Sequence, residues 1–478
     1  MVMRSLQTYG SYGAEDSHAN IRLLRNRVSC YFSDALSVAS RLKVSGLVVG
    51  YQSLFQGSSN SGYWLLTTGY WFSSMLVQKF GGTSVKSVAR IKNVAKIAAG
   101  AASREPVVVV VSAMGDTTDY LLKIARQTSS RPSPRELDAL LSTGEQISIA
   151  LVAMALNDLG ARAISLTGAQ IGITTESVHT AARIVDIKTE RILRYLRDGF
   201  VVVAAGFQGA TKEGDVTTLG RGGSDTTAVA IAAAIGADAC DIYTDVNGVY
   251  TADPNLVSTA RLVKEISYEE MLEMARVGAQ VLHPRAVELA RKHHLRVRVR
   301  NTFNPEHEGT LLLGAEEMEI YRPVGGVTID RDQARLAILK VPDRPGVAGD
   351  IFGALAQHRV SVDMIIQAFH QDGSVNDITF TVKRSDLDTA RGALEAVAAR
   401  IGAQGIIADR DVAKLSIVGA GLMDQPDIAA QMFSALGSAQ INIKMISTSD
   451  IRISCAISDA DAERAVKLVH DLFHLDDE

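Results

Sequence analysis

The chain has 478 residues, enough for two to four domains. It is 47% hydrophobic and 21% charged, with a net charge of −4, so no basic surface for nucleic acid is indicated. Cys30, Cys240 and Cys455 lie far apart and form no CxxC pair, which fits a reducing cytoplasm and argues against a structural zinc.

Residues 1–74 differ from the rest. They hold Trp64 and Trp71, and no charge occurs between Lys43 and Lys79. Gln52, Gln56 and Asn60 interrupt the apolar runs, so none reaches the roughly 20 residues of a membrane span. No compact apolar core of a secretory signal is present, and Glu15, Asp16 and Asp34 break up a transit-peptide pattern. This segment reads as an N-terminal extension of unknown structure before a domain that opens at Met75.

Met75-Leu76-Val77 begins a buried strand. Lys79-Phe80-Gly81-Gly82-Thr83-Ser84-Val85 follows, then a helix over Ser84 to Ala99 with Val88, Ile91, Val94 and Ala98 on one face. Two glycines at a strand-to-helix turn beside a lysine suit a phosphate. A tight turn with a surface lysine fits the same residues. Val107 to Val111 reads as a strand buried on both faces, as in a parallel sheet. Ser112 to Asp119 is then a polar loop opening a helix. Around Arg135 to Leu156 lies a helical stretch in which Glu145 falls among apolar neighbours and needs a partner. Ala163 to Leu166, Phe200 to Ala204 and Asp241 to Thr244 read as further short strands. Between the last two, Thr217 to Thr227 places Gly220, Gly222 and Gly223 before an alanine-rich helix, with Arg221 and Asp225 attached. A turn-rich loop, Asp245 to Pro254, closes the region. Strands alternating with helices indicate an α/β domain with a mostly parallel sheet.

The remainder repeats itself. Ala334 to Ile338 matches Ala413 to Ile417, Phe352 to Leu355 matches Phe433 to Leu436, and Val360 to Ile365 matches Ile441 to Ile446. Each unit reads strand, helix, strand, strand.

Five motifs in order, KFGGTSV, VSAMGDTTD, STGEQIS, TTLGRGGSDTTA and YTDVNGVYTADP, followed by two βαββ units, resemble the aspartate kinase family. The repeats resemble ACT domains. The resemblance implies an amino-acid kinase αβα sandwich over 75–320, with ACT domains over 325–405 and 406–478. It implies transfer of the γ-phosphoryl of ATP to the side-chain carboxylate of L-aspartate, with Mg²⁺ carried on the phosphates and no protein metal site. By the same resemblance, Lys79, oriented by Asp225, meets the phosphates, and Arg221 pairs with the α-carboxylate of aspartate. Phe80, Gly81, Gly82, Ser112, Ser224, Thr244, Asp245, Tyr250, Thr251, Ala252, Asp253, Pro254 and Asn255 complete the ATP site. Thr118, Glu145, Gly222, Gly223 and Ser224 join Arg221 around aspartate, with Glu145 on its ammonium. The ACT pair implies feedback by lysine, threonine or both, at Asp343, Gln367, Asn376, Asp377, Asn442, Ile443, Ser449 and Asp450. It also implies a homodimer, or an α2β2 assembly with a shorter subunit; Met318 stands where an internal start for that subunit would lie, though it reads more readily as an ordinary surface methionine.

Three departures stand out. Asn255 replaces a common Arg, Gln280 a common Lys, and Gln425-Pro426-Asp427 a common HPG. Rival readings are glutamate 5-kinase or another kinase of this fold, a non-catalytic amino-acid sensor, and an unrelated nucleotide protein. STGEQIS and the tandem repeats oppose the first, and retention of Lys79, Arg221 and Asp225 together opposes the second. Against the third, the chain lacks a Walker GxxxxGK[ST] motif.

Overall fold

The computed structural model describes residues 74–279, 281–318, 322–369, 374–422 and 425–477. The extension up to residue 73 and Gln280 lie outside the described residues.

In chain order, β1 (Leu76–Phe80) leads to α1 (Val88–Ala102), β2 (Val107–Val111), α2 (Thr117–Thr128), α3 (Pro134–Asp158) and β3 (Ala163–Leu166). Next come α4 (Gly168–Ile171), β4 (Ile173–Thr175), β5 (Ile184–Ile187), α5 (Glu190–Arg197), β6 (Val201–Ala205), β7 (Gln208–Ala210) and β8 (Val216–Thr218). Then follow α6 (Gly223–Ile235), β9 (Ala239–Thr244), β10 (Glu265–Ser267), α7 (Tyr268–Arg276), α8 (Pro284–Lys292), β11 (Arg296–Asn301) and β12 (Thr310–Leu313).

Eight of these strands form one sheet in the order β10-β12-β11-β9-β1-β2-β6-β3, parallel except where β11 meets β12. All five valines of β2 are buried, as a strand covered by helices on both faces requires. β1 is central, between β2 and β9, so its carboxyl end opens into the middle of the sheet edge. A second sheet, β5-β4-β7-β8, is built of short, mostly antiparallel pairs.

The first helix differs from expectation. A 3-10 turn, Gly82–Val85, follows β1, and α1 starts only at Val88, where Ser87 accepts from the Arg90 amide. Val88 is therefore 62% exposed, while Ile91, Val94, Ala95 and Ala98 carry the buried face. Helix α3 is long and apolar enough to cross a membrane by length and composition. Its inner face is nonetheless buried, and carries Asp138, Ser142, Glu145 and Ser148.

The C-terminal region comprises β13 (Gly326–Pro342), α9 (Val347–Gln357), β14 (Val362–Phe369), β15 (Val375–Val382), α10 (Leu387–Ile401) and β16 (Gly405–Val418). It ends with α11 (Pro426–Ser438), β17 (Met445–Ser449), β18 (Arg452–Ile457) and α12 (Ala462–Leu472). The strands form one antiparallel sheet ordered β14-β15-β13-β16-β18-β17. Both repeats therefore carry a second helix, α10 and α12, beyond the βαββ pattern seen in the sequence.

The repeats also share strands. The first half of β13 pairs with residues 414–418, and its second half pairs with β15 and with residues 405–409. Val327 accordingly packs with Leu415, Ile453 and Val466, whereas Leu336 packs with Phe380 and Leu394. The boundary expected at 405/406 falls inside β16, and the first repeat sits within the second.

Candidate active site

The site forms where the carboxyl ends of β1, β2 and β9 meet the start of α6. Lys79, the fourth residue of β1, points to the first turn of α6, where its Nζ lies 2.6 Å from Asp225 Oδ1. Both side chains are close to nine-tenths buried. A lysine and an aspartate 146 positions apart thus tie the two glycine turns to a single crevice. Asp225 also sits at the positive end of the α6 dipole, which favours its carboxylate.

Glycines shape the walls. A Cβ on Gly82 would come within 3.0 Å of the Ala113 carbonyl, so the first turn lies flush against the loop after β2. Gly222 adopts φ +67, and a Cβ there would fall 2.0 Å from Cγ of His283. Only glycine fits on both counts. The Gly223 amide is taken by the Gly220 carbonyl at 3.0 Å, so the turn closes on itself before α6, whose positive end faces Asp225 and Lys79. In the first turn, by contrast, the amides belong to the 3-10 segment, because α1 begins too late to contribute.

Glu145 hangs from α3 into the same region. Its Oε1 accepts from the Ala113 amide at 3.0 Å, while Oε2 is buried without a partner. Burial pushes its carboxyl up to about 7, against the opposing pull of that amide. Among the described residues, no ion pair compensates Glu145. Arg221 is exposed on the turn before α6, and no ion pair involves it among the described residues. Ser224 is buried against Gly206, and Ser112 and Thr118 are half-buried at the rim.

Some expected nucleotide residues turn their side chains into the packing. The Phe80 ring is fully buried and stacks on Tyr243 at 4.6 Å, so only its backbone faces the crevice region. Thr251 Oγ1 bonds His470 Nε2 of α12 at 2.9 Å, and its carbonyl accepts from Val327 at 2.7 Å. Ala252 packs into the core of the second repeat. The side chains of Thr251 and Ala252 thus join the two regions of the fold. Thr244, Asp245, Tyr250, Asp253, Pro254 and Asn255 remain at least partly exposed. Asn255 turns back on Asp253, its amide and side chain both donating to Oδ1.

Of the regulatory positions, Asp343, Gln367, Asn442, Ser449 and Asp450 are exposed. Asn376 is buried, Asp377 accepts from the Lys340 amide, and Ile443 packs on the second repeat's core. Sequence reasoning missed three groups. His283 caps α8 and covers Gly222, and burial holds its imidazole below its ordinary value despite nearby Asp225. Asp138 and His179 pair at 2.9 Å behind the second turn. Asp138 was legible as a polar residue two helical turns before Glu145.

The amino acid kinase family model matches residues 74–301, and ACT domain models match 335–399 and 415–473. An aspartate kinase of Stutzerimonas stutzeri is 49% identical over 405 residues, covering 84% of this chain and 98% of that protein. The chain belongs to the aspartate kinase family. Within the family, an aspartokinase of Thermus thermophilus is 48% identical, covering 84% of this chain and 99% of its own. Among solved structures, E. coli aspartokinase III in complex with aspartate and ADP superposes with a TM-score of 0.71 at 26% identity, over 83% of this chain and 99% of that one. The same enzyme in complex with lysine and aspartate gives 0.67 at 26% identity, over 84% of this chain and 99% of that one.

Proposed function

We propose that this chain phosphorylates the side-chain carboxylate of L-aspartate with ATP, giving 4-phospho-L-aspartate and ADP, in the cytoplasm. The Lys79–Asp225 contact carries the reading, because it draws both anion turns to one crevice beside Glu145. The nucleophile is a carboxylate, ionised at neutral pH, so no general base is needed. The new bond joins a carboxylate oxygen to phosphorus as the bond to the ADP oxygen breaks. Catalysis then rests on alignment and on positive charge at the transferring group. Asp225 holds Lys79 toward the phosphates, with Gly81 and Gly82 giving backbone contacts. Arg221 receives the α-carboxylate in a two-pronged contact, and Oε2 of Glu145 receives the ammonium.

Among the described residues, no three His, Cys, Asp or Glu side chains gather to hold a metal. Mg²⁺ would ride mainly on the phosphate oxygens and neutralise developing charge there. Lysine, threonine or both act through the ACT repeats by favouring one domain arrangement, in a homodimer or an α2β2 assembly. A hydroxamate assay with aspartate and ATP, with lysine and threonine added singly and together, tests both halves. Absence of aspartyl hydroxamate overturns the first, and activity unchanged by lysine, by threonine and by the two together overturns the second.

A further inference from the structure

We infer that Asp138 is a positioning residue for the turn that carries Arg221. The inference rests on the reading of Arg221 as the group that receives the α-carboxylate of aspartate.

Asp138 is fully buried in the second turn of α3. Its Oδ1 accepts from Thr218 Oγ1 at 2.6 Å, and its Oδ2 from His179 Nδ1 at 2.9 Å. The Thr180 amide lies 3.0–3.1 Å from both oxygens. These donors come from two separate segments, and the segments flank one turn. Thr218 ends β8, three residues before Arg221. Thr180 lies against Gly220: a Cβ there would approach the Thr180 carbonyl to 3.3 Å. The segments also bond each other, Ala182 N to Thr218 O at 2.9 Å.

Thr180 holds φ +69, an unfavourable conformation for a threonine, which persists only where surroundings enforce it. The carboxylate is what enforces it, because it is the acceptor for that amide. A buried carboxylate with three donors is well satisfied, and losing its charge would loosen both flanks together.

Geometry gives the clasp its use. Asp138 and Glu145 lie seven residues apart on one face of α3, roughly 10 Å along the axis. Glu145 meets the substrate ammonium directly. Asp138 sets the turn that presents the guanidinium to the substrate carboxylate. One rigid helix therefore registers the two α-groups of aspartate against each other, and the side chain that reacts is aimed as a result.

The test compares Asp138→Asn, Arg221→Ala and the double variant in the full chain, with aspartate and ATP varied separately. Asp138→Asn should raise KM for aspartate about tenfold or more, leaving KM for ATP within about twofold and kcat within about threefold. In the double variant the two effects should be clearly less than additive. His179→Asn, whose amide can donate in place of Nδ1–H, should keep a near wild-type KM. If Arg221→Ala itself leaves KM for aspartate unchanged, the substrate reading fails and this inference with it. If Arg221→Ala raises KM while Asp138→Asn does not, or the effects add fully, this inference alone is overturned. Should Asp138→Asn fail to fold, Thr218→Val, which removes one donor to the clasp, is judged by the same KM split.

Discussion

Glu145 makes a quantitative prediction. Its carboxyl stands at about 7 rather than the ordinary 4.5 because α3 buries it with one oxygen unpartnered. That displacement corresponds to about 3 kcal/mol at most, since relaxation and entering water would reduce it. The folded value is raised, so the group's contribution to stability is full below pH about 4.5 and is lost as pH climbs through about 7. Glu145→Gln should therefore stabilise the ligand-free protein above pH 7 by about 1–3 kcal/mol, read by denaturant unfolding at pH 8. The same change removes the charge that meets the substrate ammonium, worth about 1.5–3 kcal/mol, and should raise KM for aspartate about 10- to 100-fold. In the wild type, binding at pH 6 first requires Glu145 to give up a proton, so KM for aspartate should be about tenfold higher at pH 6 than at pH 8. KM for ATP should hardly move. ADP release, followed across pH 6–8 with each substrate varied in turn, measures all of this. A flat aspartate KM over that range, or a wild-type KM in Glu145→Gln, would refute the assignment.

Lys79→Ala should lower kcat about 10²- to 10³-fold, as expected for loss of one electrostatic donor. It also leaves Asp225 buried without its partner, so melting temperature should fall; adding Asp225→Asn should recover the melting temperature but not turnover. Gly222→Ala cannot hold φ +67 beneath the His283 ring, and should lower aspartate kcat/KM and melting temperature together, while Gly100→Ala, in open space on α1, should leave both alone. Thr251→Val breaks the bond to His470 and should weaken inhibition by the effective amino acid more than it changes basal kcat, in titrations of activity against effector. Removing residues 1–73 should leave activity in place; loss of folding would make that segment structural.

Much of this was readable from residues whose local rule and tertiary role agree. Val107 to Val111 could only be a doubly covered strand, and the Gly222-Gly223 turn does open directly on a helix. The first turn misled because Ser84 and Val85 satisfy the apolar pattern of a helix while folding as a 3-10 segment; periodicity cannot separate one tight turn from the next. Phe80 and Thr251 were legible as neighbours of the site but not as packing residues, because side-chain direction depends on Tyr243 and His470, far away in sequence. The Asp138 clasp was hidden for the same reason: its donors stand 41, 42 and 80 positions away. Repeats could be aligned by eye, yet the exchange of strands between them leaves no local trace.

Because β13 and β16 each run through both ACT units, neither unit owns a complete set of strands. Cutting the chain between repeats would strip each half of a partner strand, so the pair should melt in one transition and resist transplantation singly. A polypeptide begun at Met318 would still include Gly326 and hence every strand of the assembly, whereas one begun beyond Asp330 would lack the closing strand of the second unit. Where such a shorter chain can start is thus set by the weave of the sheet.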